Sequence, residues 1–507
     1  MITFLICIFL LVAGYLIYGK VVARRLDVDP SRPTPAYTLQ DGVDYQPMPT
    51  WKVFVIQFLN IAGLGPIFGA ILGAAYGPAS YIWIVVGCVL MGAVHDFFAG
   101  MMSIRNGGAN MPEITGKYLG NGMKKLMNFV TLFLLLAVGV AFIQGPSDLL
   151  GMMTGISKEI WLMIIFAYYI IATLLPIDKI IGSIYPYMGA VLLFMALSVG
   201  IMLVSGDVRG VHEIVEISPT NLANWHHSPD SNILFPMLFI VVSCGAISGF
   251  HATQSPMMAR CLKNEKHARP VFYGAMIAEG IVAMIWATAA IAYFGGPLEL
   301  NDAMSEGIRG ADGNFILNAD REPLKLTPPV AVQMICESWL GKFGAIIAVL
   351  GVIICPITSG DTAFRSMRLS IADMLKIDQK PIAKRLWVSL PIFAVAFFFC
   401  KFDFKQAWTF LGISNQILAT IVLWTGAAYL ISKGKKHLMC SLPAAFLTYV
   451  CVSYLLVAPH DKAGLHLSPE LGNYIGMAVA VILFAFCLIK ARKACRNRDS
   501  MQDISCE

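Results

Sequence analysis

Long apolar runs alternate with short polar segments along almost the whole chain. A run of about twenty apolar residues, coiled as a helix, crosses the roughly 30 Å of hydrocarbon in a bilayer. By that measure the pattern predicts about thirteen spans, and therefore an all-α polytopic membrane protein. The spans are residues 2–18, 51–75, 80–103, 126–146, 159–176, 184–205, 232–255, 271–294, 342–362, 386–400, 406–431, 438–457 and 471–490.

Two of these spans are interrupted in their middle by small and polar residues. The first carries Asn60-Ile61-Ala62-Gly63-Leu64-Gly65-Pro66, and the second carries Ser243-Cys244-Gly245-Ala246-Ile247-Ser248-Gly249-Phe250-His251. Such breaks are tolerated in a membrane where packed protein or a water-filled cavity satisfies the freed backbone groups. A pair of them in corresponding positions of two halves is typical of secondary transporters built from inverted repeats.

The order of the spans predicts this repeat. If the first helix is peripheral, the next ten spans form two sets of five, which cross in opposite senses because five is odd. Polar segments near the third span of each set, Gln144–Asp148 and Pro356–Thr362, suggest a second correspondence. The predicted organisation is a peripheral helix at 1–20, a first repeat at 51–205, an outer loop at 206–231, a second repeat at 232–431 with an outer loop at 295–327, two C-terminal helices within 438–490 and a cytoplasmic tail at 491–507.

Composition and charge agree with a membrane protein of fixed orientation. Hydrophobic residues make up 57% of the chain and charged residues 13%, about half the charged share of a soluble domain. Of the 37 Lys and Arg residues, about 27 fall in the segments predicted to be cytoplasmic and about nine in the outer ones. We therefore expect the N-terminus outside and the C-terminus inside. The twelve cysteines form no CxxC pair and are typical of small core residues.

The two breaks are the predicted substrate site. A broken helix exposes N–H groups at the start of its second half, which attract a carboxylate, and carbonyls at the end of its first half, which attract cations. Two alternatives remain, because glycines also allow close helix packing and a lone histidine is often structural. The candidate binding residues are Asn60, Ala62, Gly63, Leu64, Gly65, Ser243, Gly245, Ser248, Gly249, His251 and Gln254.

Ionisable residues inside the spans are candidates for coupling, because each is costly in hydrocarbon and functional by default. Glu279 lies in mid-span without a basic neighbour in sequence and is the first candidate for a proton carrier. His95 and Asp96 are further candidates, although they could instead form an interfacial pair tied to Arg105. Asp148 belongs to the first polar segment and is also a candidate.

A cluster of oxygen-bearing side chains offers a second route to coupling. Thr358, Ser359, Asp361 and Thr362 carry the hydroxyl and carboxylate oxygens that hard cations prefer. The alternative is a helix-end cap in which Asp361 faces Arg365.

Three linked motifs resemble those of the carbon starvation protein A (CstA) family. They are Ile61–Pro66, Gly92–Phe97 and Cys244–His251, within a resemblance that extends from about Trp51 to Ala372. The resemblance implies a bacterial inner-membrane importer of peptides or of pyruvate with protons, with the LeuT-like fold of five plus five helices. The chain resembles the short branch of that family. It has Ile56-Gln57 where long members carry a histidine pair, so no role of that pair is transferred.

The function predicted is a cation-coupled secondary transporter, with protons as the first choice and sodium as the alternative. We expect a small anionic or zwitterionic substrate such as pyruvate, an amino acid or a peptide, taken up during carbon starvation. No HExxH, GxSxG or P-loop sequence points to an enzyme, and we expect no cofactor, metal or nucleic-acid partner. A nutrient sensor that binds without translocating is the alternative, although the inner segments are too short to form an output domain.

Overall fold

The computed structural model describes residues 1–504 except 43, 175–176, 311, 318–320, 380 and 402–403. At 152–153, 174, 177–186, 343, 345, 347–349, 354–355, 404–406 and 494–504 it describes the backbone alone. Helices account for nearly all regular structure in this part of the chain, and the only β pairing there consists of three isolated bridges. The predicted all-α membrane architecture is confirmed at this level.

The first half of the chain folds into eight longer helices and one short helix, Pro35–Thr38. Glycines mark the ends of some of the longer helices. Gly120 and Gly155, at the ends of α5 and α6, have positive φ angles of 94° and 70°, as glycine commonly does after a helix. The helices are α1 (Ile2–Arg25), α2 (Thr50–Ile61), α3 (Gly65–Ala74), α4 (Ala79–Arg105), α5 (Met111–Leu119), α6 (Asn121–Thr154), α7 (Lys158–Leu174) and α8 (Ile177–Val208).

The second half adds nine helices. The longest, α13, changes direction at Gly341, whose φ of 67° and ψ of −178° are not helical. The helices are α9 (residues 234–241), α10 (His251–Ala259), α11 (Glu265–Phe294), α12 (Pro297–Ser305), α13 (Pro328–Leu375), α14 (Ile382–Phe399), α15 (Phe404–Ser432), α16 (Leu438–Val457) and α17 (Pro469–Ile504).

The predicted count of about thirteen spans is not confirmed. Among the described residues, nine helices are long and apolar enough to cross a membrane, or ten when α2 and α3 count as one bent span. The predicted span at 159–176 is α7, which has 17 residues. The span at 232–255 is divided between two short helices, and the span at 342–362 lies in α13, where several side chains are not described. The division into two five-helix repeats stays a prediction.

Both predicted interruptions are confirmed as breaks in helical geometry. The first separates α2 from α3, whose axes meet at 51°. The second spans residues 242–250, which form turns between α9 and α10. Gly245 has a φ of 95° there, a conformation that glycine adopts without the strain a side chain would bring.

The two breaks lie against each other in the interior. A Cβ atom at Gly65 would come within 2.0 Å of the Cβ of Cys244, and a Cβ at Gly245 would lie 3.4 Å from the Cα of Pro66. Small residues therefore let the two backbones approach closely. Helix α11 packs along α2 and α3, and α15 packs against α9, so neighbouring helices enclose the breaks.

The segment at 295–327, predicted as an outer loop, contains a helix. It begins with α12 and continues with the bridges Arg309–Phe315 and Leu317–Pro323. Pro297 stands at the first position of α12, where the missing N–H of proline costs nothing. The other predicted loop, 206–231, has no helix after α8 ends at Val208.

The contact between the breaks can be tested by adding one methyl group. We expect Gly65→Ala to lower the free energy of unfolding by about 1–3 kcal/mol, the usual cost of overpacking. In a Cys244→Gly background the opposing Cβ is gone, so the same substitution is expected to cost much less. Thermal unfolding of the purified protein in detergent measures both.

Gly122→Ala is the matched control, because a Cβ at Gly122 has no neighbour within 4 Å. If Gly65→Ala lowered the free energy of unfolding equally in the wild-type and Cys244→Gly backgrounds, the proposed contact between Gly65 and Cys244 would be contradicted.

Candidate functional site

The first break leaves a polar amide without partners. The Asn60 side chain is fully buried, and neither its nitrogen nor its oxygen makes a hydrogen bond within the described residues. The backbone carbonyls of Leu59 and Asn60, at the end of α2, accept bonds from the Ser359 hydroxyl at 3.3 and 3.1 Å. A side chain of α13 thus supplies hydrogen bonds to the carbonyl groups at the end of α2. The remaining break residues, Ala62, Gly63 and Leu64, are also buried.

The second break is held by one asparagine of α15. The side-chain oxygen of Asn415 accepts bonds from the Phe250 amide at 2.9 Å and the Ser248 hydroxyl at 3.1 Å, and its backbone carbonyl accepts from the Gly249 amide. Its side-chain nitrogen donates to the thiol of Cys244 at 3.2 Å. This asparagine therefore fixes the irregular backbone that precedes α10.

Backbone carbonyls at the start of the second break also accept hydrogen bonds from side chains. Gln416 donates to the Phe239 carbonyl at 2.8 Å, and the Trp83 indole donates to the Val242 carbonyl at 3.2 Å. The Ser243 carbonyl accepts from the Ile247 amide at 2.8 Å. Sequence reasoning missed Asn415 and Gln416, although polar residues inside the apolar run 406–431 were a usable signal.

Two glutamines add spare polar atoms near the breaks. Gln254, in α10, donates to the Thr253 hydroxyl, and Gln57, in α2, donates to the Ser255 hydroxyl at 3.2 Å. Both side chains are fully buried, and the carbonyl oxygen of each makes no hydrogen bond within the described residues. Because a buried unpaired polar group is costly, each is a candidate for contact with a ligand.

Four ionisable side chains form one buried chain across three helices. His95 Nδ1 lies 2.8 Å from Asp96 Oδ1, and the other Asp96 oxygen lies 2.9 Å from His251 Nδ1. His251 Nε2 lies 3.3 Å from Glu279 Oε2. The side chains are at most 1% exposed. They come from α4, the first residue of α10 and α11, so the chain links the second broken helix to two neighbours.

The alternative for His95 and Asp96, a pair tied to Arg105, is wrong. Arg105 contacts Glu265 at 3.2 Å, the Tyr429 hydroxyl at 3.1 Å and the Asp27 carbonyl at 3.0 Å. Asp96 uses both its oxygens on imidazoles instead.

The oxygen-bearing cluster lies on α13, beside the first break. Thr358, Ser359, Asp361 and Thr362 are all buried. The Thr362 hydroxyl donates to the Ser359 carbonyl at 2.9 Å, within the helix. Ser359 reaches the carbonyl end of α2 directly, so the cluster and that helix end are adjacent.

Asp148 does not contact the buried ionisable chain or the oxygen-bearing cluster of α13 among the contacts of the described residues. Its carboxylate forms an ion pair with Lys158 at 2.7 Å, and both side chains are more than one third exposed. Within the part of the chain that the structure describes, no group of three or more His, Cys, Asp or Glu residues is arranged to hold a metal ion.

Two clefts border the helices that flank the breaks. One, of about 190 Å³, borders α3 and α9 and is lined by Tyr76, His226, Trp408 and Lys462 among others. The other borders α10, beside Thr253 and Met257, and has a volume of about 10 Å³. That volume is at the lower limit of what one water molecule needs.

Solved structures share this fold. A manganese transporter of Eremococcus coleocola superposes with a TM-score of 0.55 at 13% identity, over 90% of this chain and 99% of that one. A Na⁺-coupled sialic acid symporter gives 0.52 at 13% identity, over 96% and 98%. At these identities the likeness concerns the fold alone, which is that of the LeuT-like transporters.

Sequence relatives cover between about half and nearly all of the chain. The peptide transporter CstA of Bacillus subtilis is 26% identical over 95% of this chain and 94% of its own length. An uncharacterised membrane protein of Haemophilus influenzae is 44% identical over 61% of this chain and 95% of its own. The pyruvate/proton symporter BtsT of Escherichia coli is 28% identical over 55% of this chain and 47% of its own.

The model of the family described as carbon starvation protein CstA matches residues 1–145, 133–304 and 329–454. These matches confirm the resemblance carried by the three sequence motifs. The chain therefore belongs to the carbon starvation protein CstA family.

Proposed function

We propose that this protein is a proton-coupled secondary transporter that imports a small carboxylate-bearing nutrient by alternating access. The observation that carries the proposal is the buried chain His95–Asp96–His251–Glu279. Helix α10 contributes His251, so a change in the protonation of this chain acts directly on one broken helix. The names of the relatives from Bacillus and Escherichia, a peptide transporter and a pyruvate/proton symporter, support the substrate class and the coupling ion.

A count of charges explains why this chain would carry a proton. An imidazolium at His251 between two carboxylates, with His95 neutral, leaves one negative charge without a partner. An unpaired charge in a dry interior costs several kcal/mol. The buried conformation therefore favours one more proton, held between Asp96, His251 and Glu279. A conformation that admits water to these groups would release it.

The breaks supply the features that a carboxylate needs. The N–H groups at the start of α3 and α10 carry the positive end of a helix dipole. The Asn60 nitrogen, which makes no hydrogen bond within the described residues, can donate to a carboxylate. The Gln254 oxygen, also without a hydrogen bond there, can accept from an N–H group of an amino acid or peptide. We propose that these groups bind the substrate between the two half-helices, with specificity set by the surrounding apolar side chains.

The wider cleft is the proposed entrance from outside the cell. The charge bias predicted from the sequence places α3 and α9 on the outer side. Burial, together with the positive charge of Lys462, lowers the pKa of His226 to about 4. His226 is therefore neutral at pH 7, and Lys462 supplies the positive charge that attracts an anion. The narrow cleft beside α10 is the proposed exit.

Uptake into proteoliposomes tests the proposal against the sensor alternative. Pyruvate, amino acids and dipeptides are compared under separate proton and sodium gradients. Accumulation driven by a proton gradient supports the transporter. Saturable binding without accumulation of any of them would support a sensor and overturn the proposal.

Glu279→Gln tests the proposed proton carrier. With one proton per substrate, each pH unit of gradient drives about tenfold accumulation. We expect the variant to lose this accumulation, because a glutamine cannot exchange a proton, while exchange of labelled for unlabelled substrate persists.

Glu470→Gln, at an exposed acid in the first turn of α17, is the matched control and should accumulate normally. Accumulation by Glu279→Gln at the wild-type ratio would remove Glu279 from the coupling mechanism.

Thr358→Ala tests the sodium alternative. If the oxygen cluster of α13 binds sodium, loss of one hydroxyl ligand is expected to raise the half-saturating sodium concentration about tenfold. The measurement is initial uptake against sodium concentration without a pH gradient. Thr420→Ala is the control, since within the described residues the Thr420 hydroxyl bonds only to the Gln416 carbonyl of its own helix and to Cys451. An unchanged sodium dependence in Thr358→Ala would exclude Thr358 as a ligand.

A further inference from the structure

A pocket rich in positive charge lies where the ends of several helices meet, and none of its lining residues belongs to either break. Its volume is about 480 Å³. It is formed after the end of α1, at the end of α4, along α5 and after the end of α15. The lining residues are Leu26, Asp27, Arg32, Arg105, Asn106, Lys117, Tyr118, Tyr429, Lys433 and Lys435.

Three of the five cations in this pocket are already paired. Arg32 and Arg105 both contact the fully buried carboxylate of Glu265, at 3.0 and 3.2 Å. Lys435 forms an ion pair with Asp27, and this hydrogen-bonded contact lowers the pKa of the Asp27 carboxyl. These pairs fix the walls of the pocket and orient the two guanidinium groups.

The other two cations have no acidic partner. Neither Lys117 nor Lys433 has a carboxylate within 4 Å among the described residues. Lys117 gives one hydrogen bond to the side-chain oxygen of Asn106 at 2.8 Å, and the Lys433 ammonium makes no side-chain hydrogen bond in this part of the chain. Two uncompensated ammonium groups thus face one pocket that already contains two arginines.

We propose that this pocket binds a phosphate-bearing anion, as a site separate from the transport pathway. A phosphate group has several acceptor oxygens and matches converging lysine and arginine donors. The ends of α1, α4 and α15 place the pocket at the level where membrane helices leave the hydrocarbon, and basic pockets at that level bind lipid headgroups. The source of the phosphate is either an anionic phospholipid or a soluble phosphate.

A bound phosphate would connect segments that are distant in sequence. Lys117 belongs to α5, Lys433 follows α15, and Arg32 belongs to the segment after α1. Bridging them would stabilise this face of the protein against opening. The site therefore has a readout that does not depend on transport, namely the thermal stability of the protein.

The experiment compares two phosphate sources with purified full-length protein. In one arm, native mass spectrometry and thermal unfolding follow binding of phosphatidylglycerol from vesicles mixed with phosphatidylcholine. In the other arm, inorganic phosphate and pyrophosphate are titrated in detergent. Lys117→Ala combined with Lys433→Ala is expected to weaken binding about a hundredfold, which is about tenfold for each of the two charge-assisted hydrogen bonds lost.

Lys436→Ala is the matched control, because Lys436 lies in the same segment as Lys433 and does not line the pocket. Binding of phosphatidylglycerol that is lost only in the double variant supports a lipid site, and the same pattern with the soluble anions supports a soluble ligand. Absence of binding in both arms, or equal weakening by Lys436→Ala, would overturn the proposal.

Discussion

The constraint on which this structure depends is the need to satisfy backbone groups where two membrane helices are broken. Where such a break is packed inside the protein, neighbouring side chains must provide the hydrogen bonds. Ser359 does this for the carbonyl end of α2, and Asn415 does it for the turn before α10. The helices that carry these residues, α13 and α15, must therefore pack beside the breaks. Their positions in turn limit where the neighbouring helices can pack.

Several buried polar atoms without hydrogen bonds among the described residues also lie at or near the two breaks. Asn60, Gln57 and Gln254 are buried amides with unsatisfied atoms. A protein interior retains such groups at a cost of about 1–3 kcal/mol each. Because that cost brings no gain in stability, a functional partner that satisfies them during transport is the simplest physical explanation. The same argument applies to the ionisable chain, whose members are individually expensive in a membrane.

The sequence predicted the individual residues better than their connections. Gly63 and Gly245 were recognisable because glycine interrupts an apolar run, and Glu279 because a carboxyl there is costly. Their contacts were not predictable, since Asp96 and His251 lie 155 residues apart and only the packing of α10 against α4 brings them together. Asp148 looked equivalent to Asp361, yet it lies at a surface and Asp361 is buried. The predicted number of spans is not confirmed, because the span at 232–255 is divided between two short helices and the span at 159–176 forms a helix of 17 residues.

The positions of the acidic residues bear on how a proton could be coupled to movement. Asp96 and Glu279 lie 183 residues apart, and Gly63 and Gly245 lie 182 residues apart. Each acid thus stands at a matching distance after its break, in the next helix of its half, and His251 lies between the two. An inverted repeat would place such residues symmetrically. A ligand shifts a conformational equilibrium only through different affinities for the two states. A proton bound by the proposed carriers would meet that condition, because their side chains come from α4, α10 and α11 and would separate if these helices moved apart.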